Sequence, residues 1–224
     1  MRVLLIGKRN MLSWVENLSY GLFESGFENK TLFLNELGII EDIKRNLLKV
    51  ISKDSMNKNT SRIIEKEINL FKPNLIIVIS PFLFNAKIFD CFDNFPNIIK
   101  CAWIGDRFSI SHSCIANRFD KLFYTDSYFL EEGKEYDFPD GSYLPLAVNP
   151  NIFYDRKLKR EERLLFIASY TKKRMEFLKQ INSTNLRLIG QKWESKDLNN
   201  NEEYINKNIT LDKVVEEYNL SYFI

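Results

Sequence analysis

The amino-acid sequence predicts an α/β fold of two successive doubly wound domains, the first over residues 1–155 and the second over residues 156–224. Three stretches carry that expectation. Residues 3–7, a helical pattern and residues 31–34 follow one another as a β-α-β unit, whose crossover makes the two strands parallel. Residues 75–79 are five apolar side chains in a row, which implies a strand covered on both faces at the centre of a parallel sheet. Residues 164–181 read strand, turn, helix: an apolar run at 164–168, a break at Ser169, Tyr170 and Thr171, then Met175, Phe177, Leu178 and Ile181 at helical spacing from Arg174 onward.

Taken in order, the first strand is followed by Ser13 and Glu16 at capping-box spacing, with Trp14, Leu18 and Leu22 marking the apolar face of a helix that Gly26 ends. Only Gly7 precedes that helix, so the dinucleotide fingerprint G-x-G-x-x-G is missing and a bound NAD is not supported. Helices are expected at 39–51 and 61–71, joined by the polar stretch 52–60. Ile64, Ile68 and Phe71 mark the buried face of the second, and Pro73 stops it. Ser80 and Pro81 end the central strand. A further strand at 98–104 delivers Gly105, Asp106 and Arg107 to the carboxyl edge of the sheet, and strands at 122–124 and 143–146 flank an acidic, aromatic loop at 136–140.

Pro145 and Pro150 stiffen the chain that leaves this domain, and the charge run 155–163 reads as solvated linker or helix, which places the boundary there. In the second domain residues 186–189 form a strand closed by Gly190, residues 191–203 a polar loop, and Thr210 caps a last helix with Leu211, Val214, Val215 and Tyr218 on one face. Residues 221–224 open another apolar strand as the chain stops, so this domain is expected to be incomplete.

Composition narrows the function classes. Thirty-two basic residues against 30 acidic give a net charge of +2, too little field to hold nucleic acid. The three cysteines, Cys91, Cys101 and Cys114, include no C-x-x-C pair, so neither a disulfide framework nor a zinc site is indicated; they read as reduced thiols of a cytoplasmic protein. The N-terminal apolar run is too short for a signal peptide or a membrane span.

Two places concentrate candidate chemistry. At the turn after residue 168, free backbone N–H groups and the basic side chains of Lys172, Lys173 and Arg174 suit a phosphate, although three basic residues on a first turn also describe a merely solvated edge. At the edge of the first sheet, Asp106 can contact a substrate hydroxyl or act as general base, or simply cap the next segment. His112, the lone histidine, can serve as general base in the loop just beyond.

Taken together, several segments resemble the CgeB-like glycosyltransferases, first named for spore maturation. They are Phe71-Lys72-Pro73-Asn74-Leu75-Ile76-Ile77-Val78, Trp103-Ile104-Gly105-Asp106, Phe119-Asp120-Lys121-Leu122-Phe123-Tyr124-Thr125-Asp126, Tyr143-Leu144-Pro145-Leu146-Ala147 with Phe153, and Phe166-Ile167-Ala168-Ser169 followed by Arg174. The resemblance spans nearly the whole chain and implies a GT-B fold, two Rossmann-like domains. It implies transfer of a sugar from a nucleotide-sugar donor to a glycan, protein or small-molecule acceptor, without a bound metal; no D-x-D pair is present. It places Ser169, Thr171 and Arg174 near the donor diphosphate, where the charge of Lys172 is added, and Asp106 on the acceptor side. Ala168 stands where the family has glycine, and the family's elements downstream of the donor turn have no counterpart here. That incompleteness motivates an alternative, a non-catalytic glycan-binding or assembly module in cell-surface or spore-coat construction. A third reading, an unrelated binder of a phosphorylated small molecule, expects one continuous sheet.

Overall fold

A computed structural model describes residues 1–9, 13–37, 52–181, 185–194 and 203–223. The chain divides into two compact units, Met1–Ala147 and Val148–Ile224, a division that falls ahead of the charge run. Each unit has its own parallel sheet, so the single continuous sheet that would favour the third reading is not formed by the described residues.

In the first unit the strands are β1 (Arg2–Gly7), β2 (Glu28–Phe33), β3 (Leu75–Ile79), β4 (Ile99–Ile104), β5 (Lys121–Tyr124) and β6 (Gly141–Tyr143), all parallel, in the order β2-β1-β3-β4-β5-β6. β3 is central, and alternation along it feeds two cores. Ile76 and Val78 join Leu4, Ile6, Ala102 and Ile104 on one face, under Ile64, Ile68 and Phe71 of a long helix; Ile79 joins Val3, Leu5 and Trp103 on the other, under Val15. The expected double cover is therefore supplied by α1 (Trp14–Glu24) on one side and α2 (Lys53–Phe71) on the other.

Three local expectations are corrected. Residues 53–60 are not a polar connector but the first two turns of α2, capped by the Ser52 hydroxyl, which accepts from the Asp54 N–H, with Asn57, Asn59 and Thr60 buried. Ser13 does not cap α1 through its side chain: its backbone is left-handed (φ 51°), and Glu16 is turned instead to Arg9. The expected helix at 39–51 lies outside the described residues. The strand expected at 143–146 is placed at Gly141–Tyr143, and the helices α3 (Ser113–Ala116) and α4 (Ser127–Glu135) stand before and after β5.

The second unit has β7 (Glu161–Ile167), α5 (Lys172–Leu178), β8 (Leu186–Ile189), β9 (Glu203–Ile205), α6 (Leu211–Leu220) and β10 (Ser221–Phe223), with strand order β10-β7-β8-β9, again all parallel. The charge run does not stay solvated: its last three residues open β7, and Arg163 is buried. The polar loop expected at 191–203 contains buried Trp193 and ends in β9. On α5, Met175 and Leu178 face the core, whereas Phe177, expected there, is exposed. Thr210 caps α6 as expected, its hydroxyl accepting from the Lys213 N–H at 3.3 Å.

Candidate functional site

In open α/β sheets, ligands bind beyond the carboxyl ends of the strands where the strand order reverses. Each unit has one such point. In the first, the chain runs from β1 out to β2 and returns to β3 on the other side of β1; in the second, it runs from β7 out through β8 and β9 and returns to β10 beside β7.

At the first of these points, Lys8 follows β1, Ser80 follows β3 and Asp106 follows β4. Together with Trp14, Ile79, Leu83 and Phe84 they line a cavity of about 190 Å³. Ser80 is buried with a left-handed backbone (φ 51°, ψ 58°), its N–H bonded to the Trp103 carbonyl at 2.8 Å. A non-glycine residue there stores strain of about 1–3 kcal/mol, held by its surroundings. Its hydroxyl points to Asp106 Oδ2 at 3.4 Å. The Lys8 ammonium lies 4.9 Å above the Phe84 ring and donates to the Leu83 carbonyl at 3.4 Å. Gly105 has a packing reason to be glycine: a Cβ there would lie 2.9 Å from the Trp14 ring, which also stands edge-on to Trp103 at 5.3 Å.

His112 lies apart from this cavity's lining. Its Nδ1 accepts from the Ser109 N–H at 3.1 Å, closing a capping box, and its ring packs 4.8 Å from Phe82. The structure thus assigns it a local cap and does not bring it together with Asp106 in the cavity.

At the second point, the turn from β7 to α5 is braced by its own polar groups. Thr171 caps α5, accepting from the Arg174 N–H at 3.2 Å, and the Arg174 guanidinium donates to the Ser169 carbonyl at 2.7 Å. Ser169, Thr171 and Arg174 are therefore together and exposed, whereas the Lys172 ammonium stands 4.0 Å from Glu176, one turn along α5. With seven residues, α5 contributes little macrodipole, so positive charge at this turn is chiefly side-chain charge.

Sequence reasoning missed what holds this turn in place. Trp193 is fully buried, donates from Nε1 to the Ala168 carbonyl at 2.7 Å and packs edge-on against Tyr170 at 5.3 Å. Gly190 (φ 152°) lets the end of β8 approach so closely that a Cβ would lie 2.1 Å from the Ala168 carbonyl oxygen. A tryptophan and a post-strand glycine inside a polar stretch were the available signals. Among the described residues, no cluster of three or more His, Cys, Asp or Glu could hold a metal ion, and no helix is long and apolar enough to cross a membrane.

No family model matches the chain, and no curated protein matches it in sequence. Solved structures do match. The chain is similar to a sucrose-phosphate synthase from Thermosynechococcus elongatus, with a TM-score of 0.67 and 11% identity over 99% of this chain and 74% of that one. It is similar to a UDP-GlcNAc 2-epimerase from Neisseria meningitidis bound to UDP-GlcNAc, with a TM-score of 0.61 and 10% identity over 99% of this chain and 76% of that one. A lipopolysaccharide outer core galactosyltransferase aligns with a TM-score of 0.55 and 14% identity, over 97% of this chain and 71% of that one. At such identities the likeness establishes fold: Rossmann-like parallel-sheet domains of the GT-B class, shared by glycosyltransferases and nucleotide-sugar epimerases.

Proposed function

We propose that the protein is a glycosyltransferase of the CgeB-like kind that moves a sugar from a nucleoside-diphosphate donor to an acceptor hydroxyl. The observation that carries this reading is the basic turn at the strand-order reversal of the second sheet, in a chain with the GT-B fold. Ser169, Thr171, Lys172 and Arg174 hold the donor diphosphate there, with Lys173 adding charge. As the acceptor oxygen bonds to the anomeric carbon, the bond from that carbon to the diphosphate breaks and the diphosphate leaves with the electron pair. Basic side chains balance its growing charge, in the manner of a preorganised electrostatic site. Asp106 on the first unit contacts the acceptor hydroxyl and takes its proton.

The test is to incubate the protein with UDP-, GDP- and dTDP-sugars and a glycan mixture, and to measure nucleoside diphosphate released. Release from at least one donor is expected, slowed at least 10-fold when Lys172, Lys173 and Arg174 are all replaced by Ala. No release and no binding with any donor would overturn the reading. Glycan binding without release would favour the non-catalytic module instead. A second enzymatic reading, a nucleotide-sugar epimerase, is favoured by the epimerase structures among the neighbours. It predicts an intact donor whose sugar has inverted at one carbon, which NMR of the recovered nucleotide sugar distinguishes.

A further inference from the structure

The cavity at the first strand-order reversal holds two charges that no ion pair of the first unit accounts for. Among the described residues, Lys8 has no carboxylate within ion-pairing distance, and Asp106 has no cation; each faces the same 190 Å³ space. Elsewhere on this unit, charges are commonly matched: Arg9 with Glu16 and Glu36, Lys30 with Glu67, Arg118 with Asp90 and Asp93. Beside the unmatched pair, the cavity presents the aromatic groups of Trp14 and Phe84 and the apolar side chains of Ile79 and Leu83. The strained backbone of Ser80 is a further, independent mark. Strain of this kind persists where the surroundings enforce it, and here it turns a buried hydroxyl to the Asp106 carboxylate.

An aromatic wall with a few convergent polar groups is how proteins recognise compact hydroxylated ligands. The cavity, about 190 Å³, is on the scale of one six-membered sugar ring. A carboxylate accepts two hydroxyl donors of such a ring, and an ammonium donates to its hydroxyl or ring oxygens. An anion alone would be repelled by Asp106, and a cation alone by Lys8.

We propose that this cavity seats a single pyranose ring of the acceptor, with Lys8 as a specificity-determining contact and Ser80 as the residue that positions Asp106. The proposal rests on the glycosyltransferase reading and narrows its acceptor to one presenting a terminal sugar ring. The ring lies against Trp14, with hydroxyls shared between Asp106 and Lys8. Gly105 is the reason Trp14 can stand there, because any larger residue would push the indole out of place.

The three tryptophans make the test separable from the donor question. Trp14 lines this cavity, Trp103 donates to the Leu144 carbonyl at 3.2 Å within the same unit, and Trp193 donates to Ala168 at the basic turn of the second unit. With ¹⁵N-labelled full-length protein, the indole resonances are followed while methyl glycosides of glucose, galactose, mannose and N-acetylglucosamine are titrated one at a time. At least one glycoside is expected to shift the Trp14 resonance in a saturable way. Lys8→Ala and Asp106→Asn are each expected to weaken that binding about 10–100-fold, the range for a hydrogen bond to a charged group. An unchanged Trp103 resonance in each variant reports that the unit is folded.

In turnover assays with the responding sugar as acceptor, Lys8→Ala raises the acceptor KM with kcat little altered. Ser80→Ala lowers kcat with the donor KM unchanged, a split that a merely structural role would not give. If UDP, GDP or dTDP shifts Trp193 while none of the four glycosides moves Trp14, the acceptor proposal fails and the transferase reading stands. If glycosides shift Trp14 equally in wild type and in both cavity variants, the proposal also fails. If no nucleotide moves Trp193, it is the donor reading that fails.

Discussion

The sheet of the first unit is sealed by hydrocarbon on both faces, with Leu4, Ile6, Ile76 and Val78 all inaccessible on one side and Val3 and Leu5 on the other. In the second unit, of 77 residues, the described residues form two small apolar clusters, around Leu186 and Leu188 and around Leu165 and Ile189, with buried charge beside them. Glu217 of α6 has no exposed surface. Its Oε2 accepts from Arg163 of β7 and Arg187 of β8, both at 2.9 Å, and its Oε1 from Arg187 at 2.9 Å, with Lys213 at 3.6 Å. Arg163 also donates to Ser221 of β10 at 3.1 Å and pairs with Glu161 at 3.1 Å, so one carboxylate ties a helix to two strands directly and to a third through Arg163. A small domain has less apolar surface to bury, and here fixed polar geometry takes up part of the task. The lesson is that the unit carrying the proposed donor turn adds a buried ion cluster to its packing, whereas the unit carrying the proposed acceptor cavity stands on packing.

The sharpest way to break this contrast is Glu217→Ala. Removing the shared carboxylate leaves the buried Arg163 and the part-buried Arg187 without it, a change that costs about 3–5 kcal/mol. In a thermal melt followed by the tryptophan resonances, Trp193 should lose its native signal well before Trp14 and Trp103. Simultaneous loss of all three would show that the units do not differ in this way.

Acid tests the same cluster more gently. Burial pushes the Glu217 pKa up, but the hydrogen bonds and charges of Arg187, with Arg163 and Lys213, outweigh that and leave it lowered. A carboxylate with a lowered folded pKa contributes stability that is complete above its unfolded value, about 4.3, and is lost as pH falls through the folded value. The second unit should therefore weaken below about pH 4, and Glu217→Gln should flatten that dependence. A dependence that survives Glu217→Gln unchanged would assign it to other groups.

The smallest effect is expected in the first unit. Tyr124 is buried, its hydroxyl has no partner among the described residues, and burial pushes its pKa up to about 12. Tyr124→Phe removes a polar atom that gains nothing by being there, so stability should stay level or rise by up to about 1 kcal/mol. A loss of stability would mean that this hydroxyl is satisfied after all.

What was legible in the sequence follows the same division. Residues 75–79 and 186–189 are strands in the structure with the bounds expected, because continuous apolar runs ended by Ser80 and Gly190 leave little choice. The start of α2 was hidden because its buried residues are polar, and their burial follows from packing that local periodicity does not encode. Arg163 was read as solvated for the same reason. Its neutralising partner, Glu217, lies 54 positions away and meets it only once the sheet exists. At the sites, Asp106 and the basic turn could be placed from strand ends alone. Ser80 too was placed at a strand end, but the roles of Lys8, Ser80 and Trp193 were not legible, since they depend on which strands the chain sets side by side.

The most direct measurement of the central claim is calorimetric titration of UDP, GDP and dTDP into the wild-type chain and into the Lys172→Ala, Lys173→Ala, Arg174→Ala triple variant. The account predicts saturable binding of at least one nucleotide to the wild type, weakened at least 10-fold in the variant, with the loss growing as salt is lowered. Equal affinity in both proteins would contradict it, because the diphosphate would then be held somewhere other than the turn after β7.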